Sequence, residues 1–137
     1  MNQRFNSESS RAVLFPGQGS QFVGMAQDLV ESETLARDLF QTAGDLMGCD
    51  LMSLCSKGPQ DALNATDISQ PAIFVSSMAA LAVIENSGGA ALVESRATAG
   101  LSLGEYSALV YSGALTFEDA LKVVVARGRA MQEACDK

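Results

Sequence analysis

A serine in a glycine-framed turn is the residue of this chain best suited to chemistry. Ser102 is the central residue of positions 100–104, whose sequence GLSLG matches the G-x-S-x-G pattern of a nucleophile elbow. A serine hydroxyl is a poor nucleophile near neutral pH and normally needs an adjacent base, most often histidine. The chain contains no histidine. Either the pattern is accidental, or another base serves Ser102, or the chain stops before the base is reached; the rest of the sequence favours the third explanation.

The residues on either side of the motif favour a functional Ser102. A short strand is expected over 96–99, and a helix with Glu105 in its first turn is expected over 104–110. The two glycines of the motif remove Cβ atoms that would clash in so sharp a turn. Ser102 then stands exposed at a helix N-terminus, where the Leu103 N–H is the first donor to a developing oxyanion. The alternative is an ordinary helix-capping serine.

A glycine-rich loop follows the first apolar run. Residues 12–15 (AVLF) are expected to form a buried strand, and residues 16–21 (PGQGSQ) the loop after it. The loop lacks the lysine of a Walker motif, and Phe22 occupies the third glycine position of a dinucleotide fingerprint, so both nucleotide-binding interpretations fail. Its backbone can approach a ligand closely and donate a second N–H to an oxyanion. The alternative is a simple connection between a strand and a helix.

Arg127 has an unusual position on the last predicted helix, which covers 117–135. On a helical wheel it lies roughly 150° from the centre of the charged arc, beside the margin of the apolar stripe. A guanidinium there is costly unless it meets a carboxylate or lines a polar cavity. Its planar fork suits bidentate binding of a carboxylate. The alternative is an arginine that extends over apolar surface into solvent.

The apolar spacing predicts the elements that position these groups. The further predictions are an amphipathic helix over 31–47, short helical pieces within 50–69, and an apolar helix over 70–86 that Gly88 and Gly89 end. Ser69 is predicted as the N-cap of the apolar helix, with Pro71 in its first turn. Thr116 begins a capping-box-like start to the last helix. Alternating strands and helices indicate an α/β fold with a mostly parallel sheet.

Composition limits the class of protein. The 137 residues are 47% hydrophobic and 18% charged, which is typical of one globular domain. A net charge of −7 argues against nucleic-acid binding and against docking on anionic lipid. No run of about 18 apolar residues is present, so no membrane span is expected. Residues 1–11 lack the apolar core of a secretory signal and are expected to form a disordered tail before a domain at 12–137.

The three cysteines indicate neither a disulfide framework nor a metal site. Cys49, Cys55 and Cys135 are odd in number, match no CxxC spacing and have no histidine to join them. Three reduced thiols in a cytoplasmic protein are expected, with no metal and no cofactor.

Four motifs, in matching order and separation, carry a resemblance to a known family. They are FPGQGSQ at 15–21, SQPA at 69–72, GLSLGEYSAL at 100–109 and RGRAMQ at 127–132. Together they resemble the malonyl-CoA:acyl-carrier-protein transacylase family and span nearly the whole chain from Ala12 onward.

The resemblance implies an acyltransferase of fatty-acid synthesis, which moves malonyl from malonyl-CoA to the phosphopantetheine thiol of acyl carrier protein. The implied fold is the N-terminal part of an α/β-hydrolase-like core, with a ferredoxin-like subdomain that is absent from this chain. Malonyl-CoA and acyl carrier protein are the expected partners, without nucleic acid or membrane. A polyketide-synthase acyltransferase domain and a G-x-S-x-G thioesterase are alternatives within the enzyme class.

The resemblance also implies roles for five residues. Ser102 is the nucleophile that carries the malonyl ester, and the backbone amides of Gln18 and Leu103 form the oxyanion hole. Arg127 binds the free carboxylate of the malonyl group. Gln70 lies near the active site and is assigned to substrate binding.

Two departures from the family pattern matter. Leu101 stands where many members carry a histidine that is not the catalytic base, so it is expected to alter packing and not the ester chemistry. The catalytic histidine and the inserted subdomain of the family come after Lys137, so an N-terminal portion is expected. The alternative from another class is an inactive fragment or partner-binding piece, whose exposed apolar faces and strand edges would make it aggregate or bind a complementary half.

Overall fold

Helices dominate the fold and surround one short sheet. The computed structural model describes residues 4–137. The strands are β1 (Ala12–Phe15) and β2 (Ala97–Gly100). The helices are α1 (Gln27–Ser32), α2 (Thr34–Met47), α3 (Leu51–Lys57), α4 (Gln60–Asn64), α5 (Thr66–Ile84), α6 (Ala90–Val93), α7 (Gly104–Ser112) and α8 (Phe117–Cys135), with a π-type turn at Glu85–Gly89 between α5 and α6.

The two strands lie side by side and run in the same direction. Ala12 pairs with Ala97 and Phe15 pairs with Gly100, and helices α1 to α6 make the crossover between the strands. The α/β class and the parallel pairing expected from the sequence are confirmed. Because parallel strands end at the same edge of a sheet, the loop after β1 and the turn after β2 meet there.

Helix α5 forms the centre of the core and packs against α2 and α8. Its sequence is apolar on nearly every side, as expected of a helix with neighbours all around it. Phe40 of α2, Phe74 of α5 and Leu121 of α8 are buried together. The rings of Phe74 and Phe117 stack with their centroids 5.5 Å apart. The prediction of a buried apolar helix is confirmed.

The start of α5 differs from the prediction. The helix begins at Thr66, so Ser69 lies inside it and is not its N-cap, and Pro71 is in the helix interior. The Thr66 N–H donates to the side-chain oxygen of Gln132 on α8, at 2.8 Å. A residue of a neighbouring helix thus satisfies the first turn, which local capping patterns cannot reveal. The Ser69 hydroxyl is buried without a hydrogen-bond partner among residues 4–137.

The other helix boundaries follow the predictions with small shifts. The predicted 31–47 helix is divided at Glu33, which is extended, into α1 and α2. The short pieces expected within 50–69 are α3 and α4. Gly88 takes a positive φ of 82° in the turn where α5 was expected to end. Thr116 caps α8 by accepting a hydrogen bond from the Asp119 N–H at 3.1 Å, as predicted.

The segment before β1 is ordered where the structure describes it. Phe5 forms a parallel bridge with Ser95, and the Asn6 N–H donates to the Ser95 carbonyl at 2.9 Å. The Arg4 guanidinium forms a bidentate ion pair with Glu85, with N–O distances of 2.5 and 2.9 Å. These contacts connect residues 4–6 to the rest of the fold, within the segment 1–11 for which a disordered tail was expected. Residues 1–3 lie outside the described part of the chain.

One helical stretch is apolar enough to cross a membrane by length and composition. Residues Thr66–Val93 include a window of mean hydropathy 1.5, although no unbroken apolar run is present. Within the fold, 56% of that window is buried, chiefly as the core helix α5. Burial against other helices explains its composition without a bilayer.

Cys55 gives the fold a specific dependence on alkaline pH. Burial on α3 raises the pKa of its thiol to about 12, whereas the unfolded thiol has a pKa of about 8.5. The folded chain therefore keeps a proton that the unfolded chain loses, and the free energy of unfolding should fall above about pH 9 by up to about 1.4 kcal/mol per pH unit. Urea unfolding between about pH 7 and pH 10.5 measures this slope.

Two alanine variants serve as references for that measurement. Cys55→Ala should flatten the slope, whereas Cys135→Ala, which removes an exposed thiol, should leave it unchanged. Equal slopes in the Cys55 variant and the parent chain would contradict the assignment.

Candidate active site

The turn after β2 presents Ser102 in a conformation that glycine would normally occupy. Ser102 has a φ of 53°, lies between the end of β2 and the start of α7, and is exposed. The Gly104 N–H donates to the Leu101 carbonyl at 3.0 Å and closes the turn. A Cβ at Gly100 would collide with the Gly104 backbone. The buried Leu103 side chain anchors the turn in the core, so the exposed position and left-handed backbone of Ser102 are imposed by its surroundings.

The glycine-rich loop after β1 lies against this turn. The Leu101 N–H donates to the Phe15 carbonyl at 3.2 Å. A Cβ at Gly17 would come within 2.5 Å of the Leu101 carbonyl oxygen, so only glycine permits the approach. The Gly19 N–H donates to the side-chain oxygen of Gln21 at 2.8 Å, which fixes the shape of the loop.

Among residues 4–137, several backbone N–H groups at this junction have no acceptor. Among residues 4–137, neither the Gln18 N–H nor the Leu103 N–H donates a hydrogen bond. They belong to the two adjoining segments, the loop and the turn. Unpaired donors beside an exposed nucleophile are the components from which an oxyanion hole is built.

Arg127 of α8 contacts the serine directly. Its Nη2 donates to Ser102 Oγ at 2.9 Å, and its Nη1 donates to Gln70 Oε1 on α5 at 2.5 Å. The guanidinium is half-buried, and Gln70 is fully buried. Arg127 therefore faces polar groups inside the site, as one of the two sequence-based alternatives predicted, and does not extend over apolar surface into solvent.

The polar network continues from Gln70 to the loop. Gln70 Nε2 lies 3.2 Å from Met131 Sδ and 3.5 Å from Gln18 Oε1, to which it donates. The Gln18 side chain in turn donates to Thr66 Oγ1 at 3.3 Å. Side-chain contacts therefore link Ser102, Arg127, Gln70 and Gln18, and Leu103 follows Ser102 in the same turn.

The charge of Arg127 has no acidic partner within residues 4–137. The ion pairs formed by residues 4–137 join Arg4 to Glu85 and Lys122 to Asp119, and neither involves Arg127. A half-buried guanidinium held only by neutral groups keeps its capacity to bind an anion. Across the described chain, no group of three or more His, Cys, Asp or Glu side chains is arranged to hold a metal ion.

Sequence reasoning missed Tyr106 at this site. Arg127 Cζ lies 5.8 Å from the centroid of the Tyr106 ring. Tyr106 lies in the first turn of α7, directly after the serine turn, and this nearness in sequence was the available signal.

A comparison with models of protein families identifies the family of this chain. The family model described as "Acyl transferase domain" matches residues 13–136. The chain belongs to this family. The similarity of individual relatives to this chain confirms the expected resemblance to malonyl-CoA:acyl-carrier-protein transacylases.

A probable malonyl-CoA-acyl carrier protein transacylase, mitochondrial, from Drosophila melanogaster is 45% identical over 130 residues, which are 95% of this chain and 34% of that protein. The malonyl CoA-acyl carrier protein transacylase of Escherichia coli K12 is 45% identical over 90% of this chain and 39% of its own length. The crystal structure of the malonyl CoA-acyl carrier protein transacylase from Clostridium perfringens superimposes on this chain with a TM-score of 0.79 and 42% sequence identity. The match covers 90% of this chain and 38% of the Clostridium chain. The chain therefore spans just over a third of the length of these relatives.

The close backbone packing at the serine turn predicts a large effect of one added methyl group. Gly100→Ala places a Cβ inside the Gly104 backbone and should lower the free energy of unfolding by about 3 kcal/mol or more. Gly48→Ala is the control, since its Cβ meets open space and only its φ of 71° resists alanine, at about 1 kcal/mol. Urea unfolding followed by circular dichroism measures both, and equal losses would contradict steric exclusion at Gly100.

Proposed function

We propose that this chain carries the nucleophile and the acyl-recognition site of a malonyltransferase, which moves malonyl from malonyl-CoA to acyl carrier protein in fatty-acid synthesis. The observation that supports it is the 2.9 Å contact between Arg127 and Ser102 Oγ. In a malonyl ester, one methylene separates the ester carbonyl from the free carboxylate. A cation that recognises this carboxylate must therefore lie a few ångströms from the nucleophile, as Arg127 does.

The proposed reaction has two acyl transfers. Ser102 Oγ attacks the thioester carbonyl of malonyl-CoA, the new C–O bond forms, and the C–S bond breaks. The N–H groups of Gln18 and Leu103 stabilise the oxyanion, while Arg127 holds the malonyl carboxylate. The released thiolate of coenzyme A takes up the proton that Ser102 gives up. The carrier-protein thiol then attacks the serine ester, a new C–S bond forms, the C–O bond breaks, and the proton of the thiol returns to Ser102 Oγ.

Gln70 contributes by orienting Arg127 in this proposal. Its oxygen accepts from Arg127 Nη1, and its buried position prevents both side chains from moving freely. This leaves Nη2 and the Nε edge of the guanidinium for the substrate.

The proton acceptor for Ser102 is proposed to come from outside residues 1–137, because the chain has no histidine. The resemblance assigns that role to a later histidine, within an α/β-hydrolase-like core that also carries a ferredoxin-like subdomain.

One acyltransferase domain from residue 12 to 137, incomplete at this length, stays a prediction. A cytoplasmic location also stays one, since the fruit-fly relative is named as mitochondrial. A polyketide-synthase acyltransferase domain is the alternative within this chemistry.

Acylation of Ser102 by malonyl-CoA tests the proposal. Loss of the base from a serine–histidine pair lowers the rate on the order of 10⁶-fold, so the chain alone should acylate very slowly. Added imidazole should accelerate the reaction in proportion to its free-base concentration, because it can take the serine proton. Intact mass spectrometry and peptide mapping measure the amount and site of acylation.

Two variants and a second substrate, acetyl-CoA, serve as controls for this acylation experiment. Ser102→Ala should abolish the modification. Arg127→Ala should lower the preference for malonyl-CoA over acetyl-CoA by roughly 10- to 100-fold, since a charged hydrogen bond is lost. Rapid acylation without imidazole would contradict the missing base, and equal use of the two thioesters by the parent chain would contradict carboxylate recognition.

A non-enzymatic, partner-binding role is the second candidate, and one face of the sheet favours it. Leu14 of β1 is 73% exposed, and Ala12, Ala97 and Ala99, which share its face of the sheet, are also exposed. Parallel sheets are normally covered on both faces, so this apolar face calls for a second polypeptide surface.

Size-exclusion chromatography distinguishes the second candidate. If the exposed sheet face needs a cover, the purified chain should self-associate, and Leu14→Lys should reduce that association without loss of helical circular dichroism. A monomer of the parent chain that unfolds cooperatively would count against the need for a partner.

A further inference from the structure

Tyr106 lies beneath the cation of the site, although nothing in the proposed reaction uses it. It occupies the first turn of α7, its side chain is half-buried, and it packs against the core. Its ring centroid is 5.8 Å from Arg127 Cζ, within the range of a cation–π interaction. Three segments therefore meet at one guanidinium: α5 through Gln70, α7 through Tyr106, and the serine turn.

The three contacts restrain Arg127 in different ways. Gln70 Oε1 and Ser102 Oγ accept hydrogen bonds from Nη1 and Nη2, which lie in the plane of the guanidinium. The Tyr106 ring contacts the delocalised cation itself and uses none of its N–H groups. A carboxylate in place of the ring would neutralise the charge and occupy the donors. The ring thus holds the cation while leaving it free to bind an anion.

The ring contact matters most once Ser102 carries an acyl group. In the free chain, Nη2 donates to Ser102 Oγ. When that oxygen becomes an ester oxygen and the substrate carboxylate arrives, Nη2 must turn to the carboxylate. The contacts that still orient Arg127 are then Gln70, through Nη1, and Tyr106.

We propose that Tyr106 is a positioning residue that sets the selectivity of this site for acyl groups bearing a carboxylate. It acts through Arg127 and touches no reacting atom. This inference rests on the proposed function, because it assumes that Arg127 binds the carboxylate of the acyl group. It goes further by assigning part of the selectivity to a residue on the helix that follows the nucleophile.

Thioester binding by the full 137-residue chain tests the role of the ring. Isothermal titration with malonyl-CoA and acetyl-CoA gives two dissociation constants for each variant. Tyr106→Leu should weaken malonyl-CoA binding roughly three- to ten-fold and leave acetyl-CoA binding unchanged, since only the malonyl group uses the oriented cation. Tyr106→Phe keeps the ring and should bind like the parent chain. Leu109→Ala, an exposed position on the same helix, is the control for general disturbance of α7.

The outcomes separate this inference from the proposed function. If the parent chain binds both thioesters equally, the proposed function fails at Arg127. If the parent prefers malonyl-CoA and Tyr106→Leu keeps that preference, the positioning role is overturned. It is also overturned if Tyr106→Phe loses the preference as Tyr106→Leu does, because the hydroxyl would then be responsible, or if Leu109→Ala has the same effect.

A nuclear magnetic resonance measurement decides the matter if Tyr106→Leu fails to fold. The Arg127 Nε–H signal of the parent chain, assigned by its loss in Arg127→Lys, should be displaced by the ring current of Tyr106 and should stay so in Tyr106→Phe. A signal at the ordinary position of solvent-exposed arginines would overturn the ring contact.

Discussion

The close approach of three backbone segments at the C-terminal edge of the sheet is the constraint on which the site depends. The serine turn, the loop after β1 and the start of α7 lie closer together than side chains permit. A Cβ at Gly17 would meet the turn, and one at Gly104 would come within 2.8 Å of the Pro16 carbonyl. Glycine at these positions allows the exposed, left-handed backbone of Ser102, next to a Leu103 N–H that has no acceptor among residues 4–137.

A second close approach brings the cation to the serine. Gly128 of α8 packs against the first turn of α5, and a Cβ there would lie 3.1 Å from Asp67 Cα. Gln132 of α8 accepts from the first N–H of that same turn. These contacts hold the two long helices together at the point where Arg127 of α8 meets Gln70 of α5. Helix packing thus determines where the charge of the site is located.

The electrostatics of the site follow from what surrounds that charge. Neutral oxygens and an aromatic ring contact Arg127, and none of the ion pairs within residues 4–137 includes it. Burial makes an unpaired cation unfavourable, and this is the physical basis of the proposal that a small anionic acyl group on Ser102 would interact with Arg127.

The sequence alone determined the features that depend on neighbouring residues. The glycine spacing around Ser102 required a tight turn, Thr116 predicted the start of α8, and the position of Arg127 on the helical wheel marked it as unusual. Tertiary structure decided the features that depend on distant residues. The start of α5 at Thr66 was hidden because its first turn is satisfied from α8, and the Arg127–Gln70 contact joins residues 57 positions apart. Local patterns specify turns and caps, whereas packing alone determines which buried polar groups meet.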